Sequence, residues 1–161
     1  MSEPLAVYLE DHLSGARFAV ELLQAMRDNQ HLLRLKEFVV ILLAEVEADV
    51  DTLQGLAESI GAGSNILKEL AGWVGEKATR IKLGQSTGDD LGTFEALEFL
   101  ALGVLGKGSL WQALDVVAVS DERLRGYDFK QLATSARVQY AKVEHQRLES
   151  ARTALRPKLT R

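Results

Sequence analysis

At 161 residues, with 47% hydrophobic and 26% charged side chains, the chain has the balance of one globular domain and not of a disordered or fibrous segment. A formal charge of −4, from 19 basic and 23 acidic residues, argues against a nucleic-acid partner, because neutralising phosphates takes a basic surface. Cysteine is absent, which excludes disulfides, thiolate metal sites and cysteine nucleophiles.

Pro4 and Pro157 are the two prolines and lie near the two ends, so no proline interrupts helices between them. β-branched and aromatic residues are not gathered in alternating runs, so no strands are predicted. The opening Met1-Ser2-Glu3-Pro4 lacks the basic and apolar regions of a secretory signal. The longest strongly apolar run, Phe38 to Ala44, is too short to span a bilayer. The expectation is a cytoplasmic protein without a membrane partner.

The first helix is predicted from Pro4 to Met26. Leu5, Leu9, His12, Ala16, Ala19, Leu23 and Met26 recur at alternating spacings of four and three, the seam of a bundle helix. Ser2 is the expected cap, and a proline in the first turn costs no hydrogen bond. Arg27-Asp28-Asn29-Gln30 then makes a short polar turn, which favours an antiparallel neighbour.

The second helix is predicted from His31 to Ile60 with the seam Leu35, Val39, Leu42, Val46, Asp49, Leu53, Leu56 and Ile60. Gly61 and Gly63 stop it. Residues 61 to 89 form a long connection. Within it Ser64 opens a short extra helix whose apolar side carries Ile66, Leu67, Leu70, Trp73, Val74 and Ile81, and Thr87 or Asp89 caps the next long helix.

The third helix is predicted from Asp90 to Val119, with Leu91, Phe94, Glu98, Ala101, Leu105 and Gly108 as its seam. Gly103, Gly106 and Gly108 lower its intrinsic helicity by up to about 1 kcal/mol each. Close helix–helix packing is the expected reason, with approach of a ligand or partner as the alternative, and a break at Gly106-Lys107-Gly108 stays open. The fourth helix comes after the turn Ser120 to Tyr127 and is capped by Asp128. Phe129, Ala133, Ala136, Tyr140, Val143, Arg147, Ser150 and Ala154 continue the rhythm until Pro157. The fold class is therefore all-α, a four-helix bundle forming a single domain over residues 1–161.

Each long helix sets one polar residue into its seam: His12, Asp49, Glu98 and Arg147, with Glu10, Glu45, Glu95, Tyr140 and Glu144 close by. Charged groups are rarely buried unless paired, so those that face inward should find one another. In an up-down-up-down bundle the four seam residues fall within about one turn of a common level. With a crossover that makes the second and third helices parallel, His12 and Asp49 still meet, while Glu98 moves towards Tyr140 and Glu144. One reading is a metal site drawn from His12, Glu45, Asp49, Glu98 and Glu144; the other is a structural ion-pair network that includes Tyr140 and Arg147.

Helix lengths, the long connection and mid-helix carboxylates resemble the ferritin-like bundles over nearly the whole chain. The phrases Leu97-Glu98-Phe99-Leu100-Ala101-Leu102-Gly103 and Gly106-Lys107-Gly108-Ser109-Leu110-Trp111 are similar to uncharacterised bacterial members of that group. The resemblance implies a crossover bundle that in some members carries iron for oxidation or storage and in others has lost its metal site. The family's ligand pattern is a glutamate on each of two helices and a Glu-x-x-His on each of the other two. Glu10 or Glu21 and Glu95 or Glu98 supply the single glutamates. Three residues after Glu45, Glu47 and Glu144, however, stand Ala48, Val50 and Arg147, and the chain contains no Glu-x-x-His.

No glycine-rich phosphate loop succeeds a strand, and neither His31 nor His145 has a nucleophile beside it. The basic residues of 76–82 and of the C-terminal segment read as solvated charge. Trp73 and Trp111 suit either an interface or the core. The function expected is a non-catalytic ferritin-like bundle with a structural polar core and no cofactor, acting by homo-oligomerisation, as a dimer, or by binding a protein partner. The alternative is a noncanonical iron- or manganese-carboxylate protein. A third reading is a binder of small molecules at the polar layer.

Overall fold

Apolar residues spaced by four and three form helices where the pattern places them. The computed structural model describes residues 3–61 and 90–157. Helix α1 spans Pro4–Asp28, and a 3-10 helix over Gln30–Leu35 leads into α2, Lys36–Ser59. Helix α3 spans Asp90–Val117, and a short 3-10 turn over Glu122–Leu124 precedes α4, Phe129–Ala154. The chain is all-α: the described residues form four long helices and contain no strand. Ser2, Gly63, the extra helix expected from Ser64 and its apolar side including Trp73 lie outside the described residues, as do Thr87 and Asp89.

Local chemistry explains the ends. Glu3 occupies the cap position of α1 in an extended conformation and makes no side-chain cap hydrogen bond. The second helix starts later than the sequence pattern suggests. Asn29 Oδ1 accepts from the His31 backbone N–H at 2.9 Å, and Leu32 departs from helical geometry. Asparagine offers the backbone such a local alternative, so regular α-helix begins only at Lys36. Gly61, at φ +75°, ends α2 as expected. Asp128 caps α4 by accepting from Gln131 N–H at 2.9 Å. Helix α3 runs unbroken through Gly106-Lys107-Gly108.

The seams of α2 and α4 are those read from sequence: Val39, Leu42, Val46, Leu53 and Leu56, and Phe129, Ala133, Ala136 and Val143, are buried. The seam of α3 is rotated. Leu91, Glu98 and Leu105 are exposed, and Ala96, Leu97, Leu100, Val104, Leu110 and Leu114 face the core instead, with Ala101 common to both. Leu97, Phe99, Leu100, Leu102, Val104 and Leu105 surround α3 with apolar side chains, so spacing alone does not fix its rotation. Trp111 lies in the core, stacked near Phe129 with ring centroids 6.3 Å apart.

Side-chain pairs set the helix directions. Helices α3 and α4 are antiparallel, since Glu98 meets Arg147 and Lys107 meets Gln139. Helices α2 and α4 are antiparallel as well, since Glu45 meets Lys142 and Asp49 meets Gln139. Helices α2 and α3 therefore run parallel, and the end of α2 and the start of α3 lie at opposite ends of the bundle. Helix α1 runs against α3: Glu3 pairs with Arg123 beyond the end of α3 at 3.0 Å, and Phe18 packs edge-on against Phe99. Of the two connectivities compatible with the sequence, the crossover arrangement is the one present.

Candidate functional site

Asp49 sits on the apolar seam of α2 between Val46 and Leu53, with its side chain 15% exposed. A carboxylate there needs a partner, and α3 supplies it. Lys107 Nζ donates to Asp49 Oδ2 and to Gln139 Oε1 of α4. Gln139 Nε2 in turn donates to Asp49 Oδ2 at 3.3 Å, closing a ring of three side chains from three helices. Sequence reasoning found Asp49 but neither partner. Gln139 stands three residues after Ala136 and four before Val143, the spacing of an inward position, yet a neutral amide gives no charge signal. Lys107 lay hidden between two glycines.

The other predicted residues go to separate places. Glu45 Oε1 accepts from Lys142 at 2.7 Å, and its second oxygen is buried without a partner among the described residues. Arg147 donates to both oxygens of Glu144 at 2.7 Å and to Glu98 at 3.0 Å, and its guanidinium lies 5.6 Å from the centre of the Phe94 ring. This pairing holds the Glu144 carboxyl below the usual carboxylate range. Tyr140 is half-buried and packs against the core. His12 packs edge-on against Tyr8, ring centroids 4.7 Å apart. Burial pushes its imidazole below the ordinary histidine value, offset in part by the neighbouring Asp11. No group of three or more His, Asp or Glu side chains converges to hold a metal ion among the described residues.

His12 and Asp49 do share one feature, a cavity of about 370 Å³ between α1, α2 and α3. Helix α1 lines it with His12, Gly15, Ala16 and Ala19, α2 with Leu42, Val46, Asp49 and Leu53, and α3 with Phe99 through Trp111 along one side. Its volume lies within the range of about 300–1,000 Å³ typical of small-molecule sites, and a largely apolar wall with a few polar groups is the usual make-up of one.

The glycines of this wall, Gly15, Gly103 and Gly106, differ from their neighbour Gly108, which lies outside it. A β-carbon at Gly15, Gly103 or Gly106 would meet no described atom within 4 Å, whereas at Gly108 it would rest 3.7 Å from the Ala136 β-carbon. None of the four has a positive φ. The packing expected from sequence therefore accounts for Gly108 alone. Gly103 and Gly106 leave room among the described residues. Trp111, also in the wall, is 1% exposed, and its indole Nε1 is buried without a hydrogen-bond partner among the described residues.

No family model, characterised protein or solved structure matches the chain. No helix of the described residues is long and apolar enough to cross a membrane.

Proposed function

We propose that the chain is a ferritin-like helical bundle that acts by binding and not by catalysis, and that it holds a small apolar molecule between α1, α2 and α3. The observation that carries this reading is the 370 Å³ cavity, at whose wall glycines, Gly15, Gly103 and Gly106, φ is not positive and an added β-carbon would meet no described atom within 4 Å. The parallel course of α2 and α3 supports the ferritin-like part of the proposal. The non-catalytic part is supported by the pairing of the inward charges: Asp49 with Lys107, Glu45 with Lys142, Glu98 and Glu144 with Arg147. His12 meets Tyr8 ring against ring with no hydrogen bond between them, and the described cavity wall holds no serine or threonine that it could activate as a nucleophile. An iron- or manganese-carboxylate centre would require Asp49 and Glu144 to release their cations first.

Thermal unfolding with indane, a neutral hydrocarbon, tests the proposal. Binding to the folded state alone must raise the melting temperature. The rise should vanish in Gly103→Leu, which fills the cavity. A wild-type melting temperature that indane leaves unmoved up to its solubility limit removes the cavity reading.

Self-association is a second reading, favoured by Leu102 and Leu105, which α3 exposes at 64% and 47%. A second copy is the partner proposed for that face. Sedimentation should then show a dimer that Leu102→Glu converts to monomer, and a wild-type monomer at high concentration would exclude it. The cytoplasmic setting is part of the proposal on the sequence reading alone.

A further inference from the structure

Helix α3 is apolar on all sides, the composition of a helix enclosed all round, yet one of its sides faces solvent. That outer side has a seam of its own. Glu95, Glu98, Leu102, Leu105, Ser109 and Gln112 recur at alternating spacings of three and four, and all six are exposed. Leu91 and Val116, each four residues beyond an end of this run, keep the rhythm and are exposed as well. A repeat of 3.5 residues along a helix surface is the pattern by which two helices pack along their length.

The order of side chains on this seam reads the same from either end. Two leucines stand at the centre, two polar residues follow on each side, and an apolar residue stands beyond each pair. An antiparallel copy of the helix, related by a two-fold axis between Gly103 and Val104, therefore meets it like with like. Leu102 faces the second copy's Leu105, and Leu91 faces the second copy's Val116. Glu98 faces Ser109 and Glu95 faces Gln112, so each carboxylate meets a hydroxyl or an amide with a hydrogen to donate. The axis repeats each of these pairs.

Charge selects the direction. Parallel copies in register would set Glu95 against Glu95 and Glu98 against Glu98, and like charges facing across an interface are unfavourable. Arg147 offsets the second of these contacts but not the first. The antiparallel arrangement contains neither.

We infer that α3 pairs antiparallel with α3 of a second copy of the chain, about a two-fold axis between Gly103 and Val104. The inference rests on the self-association reading proposed above and adds which residues meet and in which direction.

The chain has no cysteine, so introduced thiols report without interference. Glu95→Cys and Gln112→Cys both lie at exposed positions. The double variant Glu95→Cys/Gln112→Cys, mildly oxidised, should cross-link into covalent dimers. Each single variant should not, because two copies of one position lie about 25 Å apart along antiparallel helices, and a disulfide needs Cα atoms within about 7 Å. Adding Leu102→Glu to the double variant should abolish the cross-link. Sedimentation of the wild type separates this inference from the reading beneath it. Cross-linking of either single variant would overturn the antiparallel direction and leave self-association intact. A wild-type dimer whose double variant does not cross-link would place the interface on another face and overturn the pairing. A wild-type monomer at high concentration would overturn both the pairing and the self-association reading.

Discussion

Lys107, set between two glycines on α3, donates to the carboxylate of Asp49 on α2 and to the amide oxygen of Gln139 on α4, so that one side chain ties three helices together. The contact joins the hairpin of α1 and α2 to the hairpin of α3 and α4 in the middle of the bundle. A buried ion pair of this kind adds little net stability over an apolar substitute, but breaking one half of it is costly because the other charge is stranded.

Asp49→Ala should therefore lower stability by about 3 kcal/mol, since Lys107 would be left without its counter-ion. For a chain of this length that corresponds to a fall in melting temperature of roughly 10 °C. Adding Lys107→Met to Asp49→Ala should restore part of the loss, and a double-mutant cycle by denaturant unfolding measures the coupling. A single-mutant loss within about 0.5 kcal/mol would mean that the ring is not formed in solution.

The glycines give a prediction of opposite sign at two positions. Gly103 is helical and has open space where a β-carbon would go, so Gly103→Ala should raise stability by about 0.5–1 kcal/mol. Gly61 holds φ +75°, so Gly61→Ala should lower it by about 1 kcal/mol. Chemical denaturation distinguishes the two, and a destabilised Gly103→Ala would mean that the space beside α3 is filled.

Glu98 tests the rotation of α3. Its side chain is 50% exposed and its partner Arg147 is also held by Glu144. Glu98→Ala should change stability by no more than about 0.5 kcal/mol, as surface ion pairs generally do. A loss several times larger would return Glu98 to the core seam.

How far these residues could be read in advance depends on contrast. Helices α2 and α4 have one apolar and one polar side, so spacing located Val39 to Ile60 and Phe129 to Val143 correctly. Helix α3 has no such contrast, and its inner face required the packing of its neighbours to be known. Asp49 stood out because a charge interrupts an apolar seam. Gln139 did not, because an amide carries no charge, and Lys107 did not, because flanking glycines suggested a break. Connectivity was undetermined for a different reason: helix lengths suit both arrangements, and only cross-helix pairs such as Glu45 with Lys142 tell them apart.

His12 should make stability depend on pH. Burial, the larger influence, pushes its imidazole down, and Asp11 draws it back in part; Tyr8 packs on it, and the cavity it lines also holds Asp49 and Lys107. A base whose value is lowered on folding binds fewer protons folded than unfolded. Its contribution is whole above the ordinary histidine value of about 6.5 and is lost as pH falls through the lower folded value. Between about pH 7 and pH 5 the wild type should lose stability that His12→Gln keeps. The carboxyls of Glu3, Asp28, Asp121 and Glu144, each hydrogen-bonded by an arginine, are held below their usual range and titrate at lower pH. Parallel pH curves for the two proteins would place His12 in solvent.

The pairing of the carboxylates also predicts how the protein meets metal ions. Iron and manganese favour sites where several carboxylates and imidazoles converge on one point. Here Asp49 is engaged by Lys107, Glu45 by Lys142, and both Glu98 and Glu144 by Arg147, while His12 shares a cavity wall with Asp49 but joins no cluster of three or more such groups among the described residues. A cation at any of these carboxylates must displace a fixed positive charge, and at Glu144 it must displace a guanidinium that holds both oxygens. Untagged protein from iron- and manganese-supplemented medium should therefore purify with far less than one metal per chain by elemental analysis. Near-stoichiometric iron or manganese that disappears in Asp49→Ala and Glu98→Ala would show that the ion pairs open to admit a metal, and would make a carboxylate centre the leading account of the polar core.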